Sequence, residues 1–396
     1  ASIALDTGIV PLGNMEAVQF HPTTLMPSGI LVTEGCRGDG GYLLDKNMNR
    51  FMVELEPKKQ ELASRDVVSR HMQQVMRDGN GIDTPYGPHL WLDIRHLGEE
   101  HLRTKLLEVW DICRDFLGIS PAESLIPVRP TQHYSMGGIR VNKDGEAYGL
   151  SGLYAVGEAA CWDMHGFNRL GGNSLAETLV SGRIVGRLVA QRAAATELRA
   201  DLGIGLDAVT AAEQRAAAWL AREGRGRGVY EIRDALGEIM MHKVGIFRTG
   251  EELEQAVTEI RELLDQCDRA VLRCKDPGLN PELTFALRLK GMLRLALTVA
   301  MGALARTESR GAHYRSDYPL RNDDEWLKRT LVRWGAAEDH PRFRYEPTGL
   351  IDPPPGHRGY GRHEPIEMQQ SLEDHNATVL DAQVGEGRLE TTEAMG

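Results

Sequence analysis

The sequence predicts an α/β fold with a largely helical C-terminal half, and three patterns in its 396 residues carry that reading. Short apolar runs over residues 15–45 (AVQF, ILVTE) are broken by Pro22, Pro27, Gly29 and the cluster GDGG, the punctuation of strands joined by tight loops. Residues 128–160 read the same way: VRPTQHYSMGGIRV, the turn KDGEA, then LSGLYAVGEA. From 205 to 315 the apolar residues instead recur at helical spacing, most clearly at 251–273 and 282–308.

Taken in order, the opening ASIALDTGIVPLG reads as the end of a small-residue helix and a turn rather than the start of a domain. Ser64 to Arg77 places Val67, Val68, Met72, Val75 and Met76 near one helical face, with Ser64 and Asp66 where a helix start favours capping groups. Glu99 to Leu117 predicts one further helix, stopped by Gly118. NSLAETLVSGRIVGRLVAQRAAA predicts a helix in which Gly182 and Gly186 allow close packing. Residues 331–396 are rich in Pro, Gly and charge, with PPPGHRGYGRH at 353–363, and predict an extended, wrapping tail. No internal repeat is found.

Length and composition narrow the function. A chain of this size calls for two or three domains, and 41% hydrophobic with 26% charged residues is the composition of a globular protein. No apolar run approaches the roughly 20 residues that span a bilayer, so membrane association would come through a partner. A formal charge of -11 disfavours a nucleic-acid surface and leaves any anion site to local arrangement. The five cysteines (Cys36, Cys113, Cys161, Cys267, Cys274) are odd in number, scattered and without CxxC or iron–sulfur spacing. Redox chemistry here would pass its electrons to another subunit.

Polar residues concentrate in QFHPTT (19–24), VTEGCRGDGG (32–41), ASRDVVSR (63–70), TQHYSMGG (131–138) and HGFNRLGGNSLAE (165–177). Each has a bland reading alone: His21 beside Pro22 as a turn histidine bonded to backbone, Arg65 and Asp66 as a surface pair, Met136 and Met164 as packing residues. The glycine-rich GRGRG stretch (224–228) lacks a preceding strand and is a poor dinucleotide signal. Together, however, they form the set that a dicarboxylate needs. A dianion leaves water at a cost of several kcal/mol per charge (about that order) unless cations and donors receive it. His21, Thr33, His133 and Arg169 are such groups, arginine being the natural fork for a carboxylate, with Arg65 and Arg37 as further cations and Glu34 between Thr33 and Arg37.

The chain resembles the flavoprotein subunits of fumarate reductase and succinate dehydrogenase. The strings that carry the resemblance are QFHPTTLMPSGILVTEGCRGDGGYL, ELASRDVVSR, WLDIRHLG, PVRPTQHYSMGGI, GLYAVGEAA, HGFNRLGGNSLAE and ESRGAHYRSDYP, running through residues 15–322. CWDMHGFNRLGGNS is similar to the subtype served by a dihaem membrane anchor. The resemblance implies a partial FAD-binding, Rossmann-like domain (1–15 and 128–196), an α+β capping domain (16–127), a helical domain (197–330) and the tail. It implies that His21, Thr33, His133 and Arg169 bind the two carboxylates of fumarate or succinate. Arg65 would be the proton donor, with Glu34 and Arg37 relaying protons to it, while hydride moves at FAD N5. Glu158, Ser174 and Leu175 would contact FAD.

It further implies an iron–sulfur partner, a membrane-anchor cytochrome b subunit and a peripheral place on the cytoplasmic face of the inner membrane, a periplasmic place being the variant. The cap would gate the site, with His21, Thr33 and Arg65 on its side and His133 and Arg169 on the flavin side. The family's flavin domain opens with a GxGxxG turn and often a flavin-linking histidine, neither of which opens this chain. The expectation is that the chain lacks most of the first half of that domain and alone binds FAD poorly. Competing readings are an L-aspartate oxidase, a more distant adenylylsulfate reductase flavoprotein, and a catalytically silent scaffold. ESRGAH (308–313) is expected to be a helix end stopped by Gly311, packing the helical domain against the rest.

Overall fold

The computed structural model describes residues 1–197 and 202–348. A short helix, α1 (Ser2–Asp6), leads to strand β1 (Leu12–Gly13). The chain then leaves on a long excursion: β2 (Val18–Leu25), the helical turn α2 (Gly35–Gly38), β3 (Tyr42–Leu44), α3 (Met52–Leu55), α4 (Arg65–Val75), β4 (Leu90–Asp93), α5 (Glu99–Lys105), α6 (Leu107–Leu117) and β5 (Ile126–Ser135). These four strands make one antiparallel sheet in the order β2-β5-β4-β3. Alternation in β4 and in the first half of β5 turns Leu90, Leu92, Ile126 and Val128 inward, where they meet Val68 and Met72 of α4 in a core separate from the rest of the chain. This is the α+β cap.

The chain returns through β6 (Gly138–Arg140) and β7 (Ala160–Cys161) to the long helix α7 (Asn173–Ala195). β6 pairs with β1, Leu12 opposite Ile139 and Gly13 opposite Gly138, so the cap's two connections leave and re-enter side by side. At that crossing a Cβ on Gly137 would lie 2.3 Å from the Asn14 carbonyl oxygen, which admits no side chain. The expected cap boundary at residue 127 is therefore corrected: β5 belongs to the cap through Ser135, because it pairs with β2 along Val18–Leu25. His133 moves with it, from the flavin side to the cap side.

Four helices follow, α8 (Leu202–Ala221), α9 (Val229–Lys243), α10 (Gly250–Cys267) and α11 (Pro281–Ala305). α10 and α11 are both capped: Thr249 accepts from Glu252 N–H, and Asn280 from Leu283 N–H with Pro281 at the first turn. The helical residues Leu253, Val257, Ile260, Leu289 and Leu293 share one core with Leu5, Leu12 and Val332. After α12 (Asp323–Trp326), strands β8 (Lys328–Arg333) and β9 (Arg342–Pro347) complete a sheet ordered β7-β6-β1-β8-β9, in which β6 and β7 are parallel and the other pairs antiparallel. The expected tail thus begins as sheet, since buried Leu331 and Val332 cover β1. The PPPGHRGYGRH run lies outside the described residues.

Three local expectations also change. The helix expected over 99–117 is two, broken at Leu106 (φ -124°, ψ 36°), whose side chain turns into the cap core, while Gly118 does end the second at φ 67°. Gly182 and Gly186 meet nothing within 4 Å among the described residues, so they do not serve close packing. Gly311 is not a helix stop: α11 ends at Ala305, with Arg306 at its C-cap. The loop beyond it does join the helical domain to the rest, through buried ion pairs of Arg306 with Glu16 and Glu308 (2.9 Å each) and of Arg310 with Glu308 and Asp323.

These contacts predict opposite outcomes for two glycine substitutions. Gly137→Ala should destabilise the protein by about 2 kcal/mol or more in denaturant unfolding, because backbone must move. Gly182→Ala, inside α7 with open space around it, should be neutral or stabilising by up to about 1 kcal/mol.

Candidate active site

The polar segments converge where the cap meets the 165–172 loop. β2 is irregular there: its register against β5 shifts between Gln19 and Phe20 and again between His21 and Thr24, with Pro22 unable to donate. The irregularity leaves His21 fully buried, with Nδ1 3.2 Å from the Thr23 N–H and 3.1 Å from the Thr23 oxygen. Among the described residues, Nε2 has no partner. The turn reading of His21 is thus met at Nδ1. The tautomer that accepts from Thr23 carries its proton on Nε2 and offers a donor.

The loop after β2 is tied back to it by the Thr23 hydroxyl on Val32 O (2.9 Å) and by Val32 N–H on Thr23 O (3.0 Å), and Thr33 and Glu34 follow directly on that tie. Thr33 Oγ1 accepts from Gly35 N–H at 3.2 Å and keeps its own proton to give. Arg65 is the first residue of α4, where a cation opposes the helix dipole. Glu34 answers it with both oxygens, 3.0 Å from Nε and 3.0 Å from Nη2. Arg37 approaches the same carboxylate at 3.6 Å and donates to Glu61 O.

Across the seam, Arg169 donates from Nη2 to His133 Nε2 at 2.8 Å and lies over the Tyr134 ring at 4.7 Å. Since arginine cannot accept, His133 carries its proton on Nδ1. The His21 and His133 rings are 5.1 Å apart, edge to face. Gln19 stitches the halves together, accepting from Arg65 (3.3 Å) while donating to Asn168 Oδ1 (2.9 Å) and Arg169 O (2.7 Å). A Cβ on Gly171 would sit 1.7 Å from Glu34 Oε1, so this glycine lets the loop close over the carboxylate. Gln19 and Gly171 were not singled out from the sequence; Gln19 in a buried strand and the doubled glycine after Arg169 were the available signals.

Burial and the charge of Arg65 hold both imidazoles neutral, pushing His21 down to about 2, with His133 and Arg37 contributing, and His133 down to about 4, with Arg169 contributing. Burial would raise the Glu34 carboxyl, but the Arg65 hydrogen bonds and the nearby guanidiniums outweigh it and keep it below its ordinary value. Burial, then the charge of Arg65, lowers Arg169, and burial lowers Arg37 although Glu34 opposes it. Three guanidiniums against one carboxylate leave the cluster at a net +2. Among the described residues, Nε of Arg169 and Nε of Arg37 have no acceptor.

The other three predicted residues lie apart, near the start of α7. Glu158 is exposed and accepts from Ser135 N–H at 3.0 Å. Gly172, at φ 77°, opens α7 without a side-chain cap, leaving Ser174 and the exposed Leu175 in its first turn. Beside them is a cavity of about 570 Å³ lined by Trp162, Met164, Ala176, Val180 and Ile184 among others. Met136 is a core residue as expected, whereas Met164 is 60% exposed at this cavity and does not pack. Sequence reading also missed the His165–Glu177 pair (2.7 Å), on which the Tyr134 hydroxyl donates at 3.2 Å.

Comparison with known proteins follows this geometry. Residues 1–175 match the family model described as FAD binding domain, and residues 233–360 the one described as fumarate reductase flavoprotein C-term. The chain is 45% identical to a fumarate reductase flavoprotein subunit of Helicobacter pylori, covering 100% of this chain and 60% of that protein. It is 39% identical to that of Escherichia coli, covering 91% and 61%. Among solved structures, a quinol-fumarate reductase with menaquinol molecules superposes with a TM-score of 0.81 at 38% identity, covering 89% of this chain and 63% of that one. An adenylylsulfate reductase of Archaeoglobus fulgidus shares the fold, with a TM-score of 0.63 at 15% identity over 86% of this chain and 60% of that one. The chain spans about 60% of the length of these curated relatives.

The imidazoles predict an acid-side weakness. An unfolded chain protonates both histidines as pH falls through about 6.5, whereas the fold refuses those protons until about 4 at His133 and about 2 at His21. The unfolded state binds more protons in this window, so stability falls with pH from 6.5 towards 4. His21→Asn should flatten that slope of Tm against pH, and an unchanged slope would show that His21 titrates normally.

Proposed function

We propose, from the premise that this chain belongs to the fumarate reductase flavoprotein family, that the seam binds a four-carbon dicarboxylate and that the complete protein interconverts fumarate and succinate with FAD. The observation that carries the reading is the uncompensated +2 charge of Arg37, Arg65 and Arg169 against Glu34. A dianion neutralises it. The free Nε2 of His21, the hydroxyl of Thr33, the Nδ1–H of His133 and the fork of Arg169 supply the donors its four oxygens require, and fixed donors of this kind hold a substrate in one attack geometry.

The residues near α7 fit a flavin: an uncapped helix start offers N–H groups to carbonyl or anionic oxygens, Leu175 offers an apolar face, and an apolar cavity adjoins both. Glu158, Ser174 and Leu175 would hold FAD there, and FAD, when bound, supplies or receives the electron pair. The chain's own residues then manage the proton. Arg65 donates to the substrate carbon and is refilled through Glu34, which touches both Arg65 and Arg37. Glu34 is the member of this relay open to water, its side chain 37% exposed against 3% for Arg37. As negative charge develops on the substrate, the surrounding guanidiniums hold it more strongly than the ground state.

By the same reading electrons pass through an iron–sulfur subunit to a membrane quinone at a cytochrome b anchor, with this subunit peripheral on the cytoplasmic face. No helix among the described residues is long and apolar enough to cross a membrane.

The complete, FAD-loaded protein should reduce fumarate with a reduced dye and oxidise succinate but not aspartate; aspartate oxidation would select the oxidase reading instead. Arg65→Gln should lower turnover by about 10³-fold or more with flavin retained, and retained turnover would favour a silent scaffold or another acid. Glu34→Gln should slow turnover by about 10–10²-fold while dicarboxylate affinity holds or rises, since the relay is lost and the site gains charge.

A further inference from the structure

ESRGAH has no part in the roles above, yet its turn is bonded to both sides of the seam. Arg310 and His313 exchange backbone hydrogen bonds (2.8 and 3.0 Å), and Gly311 takes φ 56° between them. On one side, the Ala312 N–H donates to Phe167 O at 2.7 Å, two residues before Arg169. A Cβ on Gly311 would lie 2.5 Å from that same oxygen, so the loop rests directly on the turn. Beneath it, the fully buried Arg306 guanidinium lies 4.8 Å from the Phe167 ring. On the other side, Arg70 Nη1 donates to Gly311 O at 3.2 Å. Arg70 stands on α4, the helix that begins with Arg65.

The turn also reaches the middle of the seam. Ala312 packs with Tyr134 and Met136, and Arg169 lies over that same Tyr134 ring. The turn itself is held from behind: His313 Nδ1 accepts from Arg248 at 2.8 Å, and Arg310 is paired to Glu308 and Asp323. Its position is thus fixed by the helical domain, while its tip touches the Arg169 loop and the Arg65 helix through separate bonds.

We propose that the Arg310–His313 turn is a positioning strut that sets Arg169 relative to Arg65, with Gly311 and Arg70 as its positioning residues. It rests on the dicarboxylate reading of the seam. Neither residue touches substrate in this proposal. A shift of the strut moves the carboxylate fork away from the acid, and a misplacement of about 1 Å can cost about 10²-fold in rate. Such a shift acts on binding and turnover together, whereas damage to folding alone lowers the active fraction and leaves KM where it was.

The test uses the complete flavin-loaded protein with Gly311→Ala and, separately, Arg70→Gln. Flavin content, Tm, kcat and KM for fumarate are measured, together with Kd for succinate from the change in flavin absorbance. Gly311→Ala should raise KM and Kd about tenfold or more and lower kcat, at parental flavin content; Arg70→Gln should do the same more weakly. Parental KM and Kd in both variants overturn the strut, as does a loss confined to flavin content and Tm. A parent protein that binds no dicarboxylate sinks the underlying reading instead, which separates the two failures. Should Gly311→Ala fail to fold, Arg70→Gln decides: an unchanged Kd counts against the proposal, and a raised KM and Kd with intact flavin counts for it.

Discussion

Everything at the seam depends on positive charge gathered out of water without an equal negative charge to meet it. Burying a cation costs several kcal/mol, roughly, unless acceptors or an opposite charge receive it. The protein covers part of that cost with backbone oxygens, Glu61 O for Arg37 and Leu170 O for Arg169, and part with the single carboxylate of Glu34. The histidines stay neutral because protonating either would add to the same field. What is left over is a demand for an anion, built into the fold before any ligand arrives.

The buried ion network behind the seam shows that this imbalance is not a general habit of the chain. Around Arg306, Arg310, Arg315 and Arg321, the carboxylates Glu16, Glu308, Asp317 and Asp323 stand within ion-pair distance. That network has close to one carboxylate per arginine, and breaking one of its pairs would strand a buried charge at a cost of about 3–5 kcal/mol. It fixes the crossing where Glu16 sits between β1 and β2. A matched network carries structure; an unmatched one a few residues away invites a ligand.

Much of the fold could be read from the sequence, because local signals and tertiary packing agreed there. The helical spacing over 251–273 and 282–308 falls on α10 and α11, and Gly118 ends α6. The misread elements are those where packing decides. Leu106 breaks a helix by turning into the cap core, and β5 joins the cap because β2 needs a partner, neither of which periodicity reveals. The candidate site residues came from family strings, and the structure brings His21, Glu34, Arg37, Arg65, His133 and Arg169 into one cluster. Gln19 and Gly171 were missed because their value lies in a contact made across about 150 residues of chain, Gln19 to Arg169 O being the shortest of those bonds.

The excess charge also bears on how an arginine could serve as an acid. Arginine holds its proton to a pKa above about 12 in water, which makes it a poor donor. In this seam the guanidiniums repel one another, and burial with that repulsion already lowers both Arg37 and Arg169. A substrate that has gained an electron pair carries more negative charge than the dianion that entered, so a proton moving to its carbon removes charge from a cation and an anion together. On the proposed reading, Glu34, held by two hydrogen bonds to Arg65, would stabilise the cationic form before transfer and offer the route for its restoration afterwards. On the proposed reading, charge balance at the site would favour protonation after the electrons arrive rather than before, and the order of events would follow from the same +2 that is proposed to select the ligand.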